Sequence, residues 1–562
     1  MSPSRSGYAA TGAARDQIEI RAEPPRSTPR AARVLPELVV GLLAAATFSW
    51  ALDGATAWRD EVVTLEVASR SVPDILALTR EQDLVHLAYY LLIHPLLLLD
   101  HSITPVRVVS VGGAVLTAVL VVRIGRALAG WPVGLASGLL LVASPTASRY
   151  AQEARSFSLV AAAVALSTLL LIRGTERTVA RTRSFWWWAG YVVLLVVVAL
   201  GNLLGLLCLL GQAVYVVTTP RRYRPLLVGQ WLACVAAAGI ALMPFVHSAA
   251  GQTQQVSWLL RPGTAQLVGM LSLVWTPAGA AAALLVLAIV AVVRRGSAGA
   301  RRALAVGLAW GVLPPLVLWA VAQVKPLYHE HYLFAQAGGA ALAVGSLAGV
   351  RLRRRPARHQ LGTRAGGDVP SAHDSAAYGL DGAGSGPAST QVQARTGAGR
   401  ALRVGLAAAL PAIVLGAAGL PQQVAYRQAI GHGEDIPAVA RSVDAQARPG
   451  DAIVYLPYWL RLLAMAYPVP QGVDEVALAR TGEQSASITG EVVGPAQALD
   501  RLAGRCRVLV VTQTSAFAGY GPTDQAVVDL LTARYVQVHK DAAQGFDVLL
   551  FRSRDPQCAA QA

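Results

Sequence analysis

The residues best suited to chemistry stand together in AWRDEVVT, positions 57–64, where Arg59, Asp60 and Glu61 are adjacent. A carboxylate can take the proton of an attacking hydroxyl, general-base work usually worth about 10²–10⁴-fold. Asp60 is the candidate base. Glu61 either orients substrate beside it or binds a divalent cation. Asp83 and His86 follow in the same connection, Glu153 and Arg155 lie in SPTASRYAQEARSFSL, and Lys325, His329 and His331 lie in KPLYHEHYL. Arg and Lys can hold a phosphate and stabilise its charge as it departs. This mixture suits transfer of a group from a phosphorylated lipid to a hydroxyl. Each group also has a plainer reading. Acids solvate helix ends, and a lysine beside an apolar run snorkels. His86 and His94 are eight apart, on one face of a helix, where they could anchor it at an interface. Glu153 and Arg155 are two apart and do not face each other on a helix.

These groups need a scaffold, and the composition says which kind. Of 562 residues, 54% are hydrophobic and 14% charged, against about 25% charged in soluble domains. Apolar runs long enough for about 30 Å of hydrocarbon recur. Spanning helices are predicted at 35–52, 106–122, 131–147, 156–172, 185–201, 203–219, 225–246, 278–293, 303–321, 332–349 and 402–420. The net charge of +16 collects in short basic clusters between these runs, which marks cytoplasmic loops rather than nucleic-acid binding. Five clusters, from Arg123 to RLRRRPAR at Arg351, share one side if LVHLAYYLLIHPLLLLD (84–100) does not cross. That segment is read as a helix at the outer interface. The segments 53–105, 148–155, 247–277 and 322–331 then share the outer side, with everything after 420, and the candidate residues converge there. FWWWAGY at 185–191 reads as an aromatic belt.

The domain organisation follows. Residues 1–34 form a disordered cytoplasmic tail, 35–350 the transmembrane catalytic module, 351–401 a disordered cytoplasmic linker rich in Gly, Ala, Ser and Arg, and 402–420 the last span. Residues 421–562 alternate short apolar runs (PGDAIVYLP, CRVLVVTQ, FDVLLFRS) with helical segments (EDIPAVARSVDAQA, PAQALDRLAG, TDQAVVDLLTARY). That pattern predicts a small extracytoplasmic α/β domain. There Cys506 and Cys558 are either a disulfide or two free thiols. The fold class is mainly α, a polytopic membrane protein of about 11 spans with a C-terminal α/β domain.

Over residues 35–350 the chain resembles the GT-C glycosyltransferases, polytopic enzymes that use polyprenyl-phosphate-linked sugars. WRDEVVT after the first span carries the resemblance. So do Asp83, His86, Tyr89, Tyr90 and His94 in their spacing, Arg107 and Ser110, GRALAG at 125–130, SPTASRYAQEARSFSL and KPLYHEHYL. The branch is that of dolichol-phosphate-mannose-type mannosyltransferases and aminoarabinose transferases. The resemblance implies an inverting transferase with Asp60 as base, and Arg59, Asp83, His86, Glu153, Arg155, Lys325, His329 and His331 binding substrate. His331 stands where the family pattern has Arg, which puts a titratable group in place of a fixed cation. The donor expected is a polyprenyl-phosphate sugar, mannose first. The acceptor is a glycolipid, a polysaccharide or a protein, and the membrane lipid is a partner. No cofactor is required by the resemblance, and a divalent cation stays open. The expected location is the plasma membrane, with the N-terminus cytoplasmic and the C-terminal domain extracytoplasmic. A transporter or lipid flippase is the main alternative, but such proteins carry polar groups near the bilayer midplane, where Gln212 and Gln230 are the clearest candidates. A non-catalytic scaffold would leave the charge cluster without a role.

Overall fold

A computed structural model of the chain describes residues 30–252, 261–265, 267, 278–325, 330–350, 387–514 and 519–559. The chain divides into Met1–Leu35, of which only the start of the first helix is described, and Pro36–Ala562. Helices stand at all 11 predicted positions. The first part runs α1 (Arg30–Ser49), α2 (Arg59–Ser69), α3 (Val72–Glu81), α4 (Leu87–Leu97), α5 (Thr104–Ala129), α6 (Trp131–Ala143), α7 (Pro145–Ala151), α8 (Phe157–Val179), α9 (Phe185–Gly201), α10 (Leu209–Val217) and α11 (Arg224–Gly251). Among the described residues six helical stretches are long and apolar enough to cross a membrane: α5, α8, α11, Ala298–Ala322, His331–Gly349 and Leu402–Ala425. Their backbones pack closely where small residues meet, as in other membrane bundles. A Cβ on Gly311 would lie 2.3 Å from the backbone nitrogen of Ala340, so only glycine fits there.

The connection 53–105 is not a plain loop. It folds into α2, α3 and α4, whose apolar faces (Val67, Ala68, Ile75, Leu78, Tyr90, Ile93) bury against one another and against Val106 of α5. Ser71 caps α3 by accepting the Asp74 N–H, the arrangement expected of a helix start. At 11 residues, α4 is about 16 Å long at 1.5 Å per residue, roughly half the hydrocarbon thickness.

Residues 387–401, assigned to the linker on composition, instead continue the last helix, Pro387–Ala425. Proline suits the first turn, the Ala, Gln and Arg residues are good helix formers, and the apolar helix beyond supplies a nucleus to extend. Residues 351–386 and the tail 1–29 lie outside the described residues.

The C-terminal part is a five-stranded sheet built from β1 (Ala452–Leu456), β2 (Asp474–Glu475), β5 (Arg507–Gln513), β6 (Tyr535–Ala543) and β7 (Phe546–Ser553), in the order β2-β1-β5-β7-β6. A hairpin of β3 (Leu478–Arg480) and β4 (Glu491–Val492) stands apart from it. β2, β1 and β5 are parallel, and β7 is antiparallel to both neighbours. Interior strand β1 is buried throughout, which is why its sequence is an unbroken apolar run. The helix Ile436–Gln446 covers one face with Val439 and Val443, while Ala498, Leu502, Val527 and Leu531 cover the other. Cys506 and Cys558 form a disulfide. Val62 of α2 belongs to the same apolar cluster as Ile453, Leu509 and Phe546, so the sheet domain is packed onto the helices of the first connection.

Candidate active site

The first turn of α2 carries Asp60 and Glu61, a placement that the helix dipole favours for acids. Their fates differ. Glu61 is fully buried, and Arg107 of α5 grips it with two bonds, Nε to Oε1 at 3.1 Å and Nη2 to Oε2 at 2.8 Å. The Ala154 N–H adds a bond of 2.7 Å to Oε1. Arg107 also donates to the carbonyls of Leu52 and Ala55. Both carboxylate oxygens of Glu61 are thus occupied by donors, which does not fit a metal ligand. Its geometry is that of a strut between α2, α5 and the turn before α8. Among the described residues no three His, Cys, Asp or Glu side chains are grouped to hold a metal ion.

Asp60 has a side chain 40% exposed. Its Oδ2 lies 3.7 Å from Nη2 of Arg155. Arg155 is itself buried and held from three directions. Nη2 donates to His86 Nε2 at 2.8 Å, and Nη1 donates to Thr64 Oγ1 at 3.2 Å and to the Asp60 carbonyl at 3.5 Å. Because Arg can only donate, His86 accepts at Nε2 and carries its proton at Nδ1, which donates to Asp83 Oδ1 at 2.7 Å. Tyr90 donates to the other Asp83 oxygen. Burial would raise the Asp83 pKa, but the hydrogen bonds from His86 and Tyr90 and the charge of Arg155 override that and hold it below the usual range. Asp83 has φ 63°, a left-handed conformation in which Asp is tolerated. Gln252 at the end of α11 fixes this turn, bonding the Leu84 N–H and the carbonyls of Thr79 and Arg80. Burial would lower the Arg155 pKa, yet the surrounding acids, Asp60 foremost, raise it. It is a fixed cation beside an accessible carboxylate.

Glu153 faces inward instead. Arg149, four residues earlier, donates to its Oε1 at 3.0 Å. His432 Nδ1 lies 3.7 Å from Oε1 and His331 Nδ1 lies 3.9 Å from Oε2. Burial dominates and pushes its pKa to about 8, against the pull of Arg149. Burial likewise drives His432 down to about 4. Trp58 stacks on both imidazoles, at ring separations of 5.1 Å to His331 and 6.0 Å to His432. His331, expected at a donor phosphate, is therefore inside an aromatic stack that also includes Phe157, because Trp58 and the α8 start close over it.

The structure thus brings together Asp60, Asp83, His86 and Arg155, with Glu61, Glu153 and His331 packed beneath. Arg59 points elsewhere, to Glu434 of the C-terminal part. His94 bonds the Ala68 carbonyl at 2.8 Å and ties α4 to α2. Lys325 is exposed after the helix Leu313–Ala322, with no ion pair to a described residue. His329 lies outside the described residues. Sequence reasoning missed Arg149, Trp58, His432 and Glu434. The first had a signal, since it stands four before Glu153. GHGED at 431–435 was a second one, a polar cluster directly after the last apolar run.

No family model matches the chain, and neither does any curated protein. Solved structures do. The crystal structure of ArnT from Cupriavidus metallidurans in the apo state is similar with a TM-score of 0.56 at 14% identity, over 92% of this chain and 98% of that one. ArnT from the same organism bound to undecaprenyl phosphate gives 0.53 at 14% identity, over 93% and 98%. The chain has the GT-C fold of these structures.

Proposed function

We propose that this GT-C-fold chain is a membrane glycosyltransferase that moves a sugar from a polyprenyl-phosphate donor to an acceptor hydroxyl at the outer membrane face. The observation that carries the reading is the half-exposed Asp60 carboxylate 3.7 Å from a buried, triply held Arg155. Asp60 takes the proton of the acceptor hydroxyl. The acceptor oxygen forms its bond to the anomeric carbon as the bond from that carbon to the phosphate oxygen breaks. Arg155 balances the charge gathering on the departing polyprenyl phosphate. A fixed, pre-oriented guanidinium suits this better than a mobile one, because no reorganisation is needed as charge develops. The resemblance in sequence adds inversion at the sugar, and mannose is the first sugar to test. That one of the similar ArnT structures holds undecaprenyl phosphate supports a polyprenyl carrier here. The acceptor is a glycolipid, polysaccharide or protein hydroxyl.

The orientation that fits places the N-terminus and residues 351–386 in the cytoplasm and the sheet domain outside. Labelling of cysteines introduced at 351–386 from outside intact cells would overturn it. The transporter reading has less support: Gln212 is bonded to Tyr191, Ser167 and Thr168 within the bundle, a satisfied structural network. The deciding experiment gives membranes labelled polyprenyl-phosphate sugars one at a time. Wild type transfers one of them, and Asp60→Asn loses roughly 10²-fold or more with expression unchanged. Near-wild-type turnover of Asp60→Asn removes Asp60 as the base.

A further inference from the structure

Residues 427–434 join the last apolar helix to the C-terminal sheet, and this strap is held both by the end of α1 and by the first connection. Arg427 donates to the carbonyls of Trp50 and Thr47, both at 2.8 Å, and lies over the Trp50 ring at 4.5 Å. The Ala429 carbonyl accepts from Thr56 twice, from the backbone N–H at 3.0 Å and from Oγ1 at 2.8 Å. A Cβ on Gly54 would come within 2.2 Å of the Arg427 carbonyl oxygen, so the two backbones touch. His432 stacks on Trp58. Glu434 takes both the backbone N–H and the side chain of Arg59, the residue next to Asp60. Arg59 is backed on its other side by the Trp459 ring at 5.1 Å.

Resting on the transferase reading, we propose that this strap is a working part of the active site: Glu434, acting through Arg59, is a positioning residue that sets where the Asp60 carboxylate stands. The C-terminal domain is then not an appended binding module, since it supplies one of the two anchors between which Asp60 is mounted. Glu61 with Arg107 is the other. Of the carboxylates of Asp60, Glu61 and Glu434, that of Asp60 is the exposed one, and its reach to an acceptor proton is fixed by its neighbours on both sides. Such placement effects are large, because misplacement by about 1 Å can cost roughly 10²-fold.

The test uses the full chain in lipid nanodiscs, with Glu434→Gln, Arg59→Gln, the double variant and the exchanged pair Arg59→Glu with Glu434→Arg. A positioning role predicts that Glu434→Gln lowers kcat roughly 10- to 100-fold while donor KM moves less than about threefold, and that the exchanged pair recovers most of the loss. A residue that only stabilises the fold would change the amount of active protein, not kcat per folded molecule. An unchanged kcat in Glu434→Gln, or an exchanged pair no better than either single variant, overturns the proposal. Arg59→Lys replaces Glu434→Gln if the latter does not fold. Hydrogen exchange gives an arm independent of activity: amides of residues 56–62 should exchange faster in Glu434→Gln than in wild type. If wild type transfers no sugar but this exchange difference appears, the functional reading fails and the clamp stands. If the exchange is unchanged, the clamp itself fails.

Discussion

Replacing Glu61 by Gln separates a strut from a catalyst. Glu61 and Arg107 are 0% and 1% exposed, so neither charge reaches water when its partner is lost. Gln at 61 could still accept from Arg107 and from the Ala154 N–H, but the guanidinium would keep its full charge in a dry site. Removing one partner of a buried ion pair costs about 3–5 kcal/mol. Arg107 retains the carbonyls of Leu52 and Ala55, which places Glu61→Gln toward the lower end of that range. Arg107→Met leaves the carboxylate unpaired and frees both carbonyls, and belongs at the upper end. The double variant should lose less than the sum of the two singles, because each single counts an uncompensated charge that the double lacks. A coupling of about 0.5–3 kcal/mol is usual for residues in contact. The assay is denaturant unfolding of the purified protein in detergent, beside transfer activity per folded molecule. A loss below about 1 kcal/mol, the range of exposed pairs, would refute the strut. So would additive singles. Full stability with abolished transfer would return Glu61 to a catalytic role.

His86→Ala should raise donor KM roughly tenfold or more, because a hydrogen bond to a charged group is worth about 1.5–3 kcal/mol; His86→Gln, which can still accept from Arg155, should recover part of it, and steady-state kinetics on the three proteins decide. Glu153→Gln should change how stability depends on pH. The folded-state pKa is raised by burial to about 8, so the neutral acid is favoured and its stabilising effect is lost as pH rises from the unfolded value towards 8. The unfolding midpoint of Glu153→Gln should match wild type near pH 5, exceed it increasingly up to pH 8 and then level off. A difference independent of pH would contradict the assignment. Breaking the Cys506–Cys558 bridge, which closes a separation of 52 residues, should cost about 4 kcal/mol of C-terminal domain stability, read as reductant-sensitive urea unfolding that the Cys506→Ser and Cys558→Ser double variant no longer shows.

The helices of the bundle were legible because apolar runs announce themselves. The strands β1, β5 and β7 were legible for a related reason, since buried strands need unbroken or strongly apolar sequence. β6 was not: most of it is exposed, and it follows the helix Pro522–Arg534 with no break, so its Val-Gln-Val alternation carried little weight. At the site, Asp60, Asp83, His86 and Arg155 could be named in advance as charges on one face. What each one touches could not. Glu61 and Asp60 are adjacent acids of equal chemical promise, and only Arg107, 46 residues on, decides that one is buried and the other open. His331 looked like a phosphate ligand because its surroundings, Trp58 and Phe157, come from two distant segments.

The bonds between Thr56 and Ala429 close a span of 373 residues, and this has a consequence in time. At 5–20 residues per second, a ribosome needs roughly 20–75 s to make that span. During that interval the segment bearing Asp60 is already made, while the residues that fix it from the other side do not yet exist. On the proposed positioning role of the strap, the nascent chain is catalytically incomplete for most of its synthesis, and any product truncated before residue 434 stays so. On that proposal the mounting of Asp60 is completed late, when the last apolar helix is in place and the strap closes.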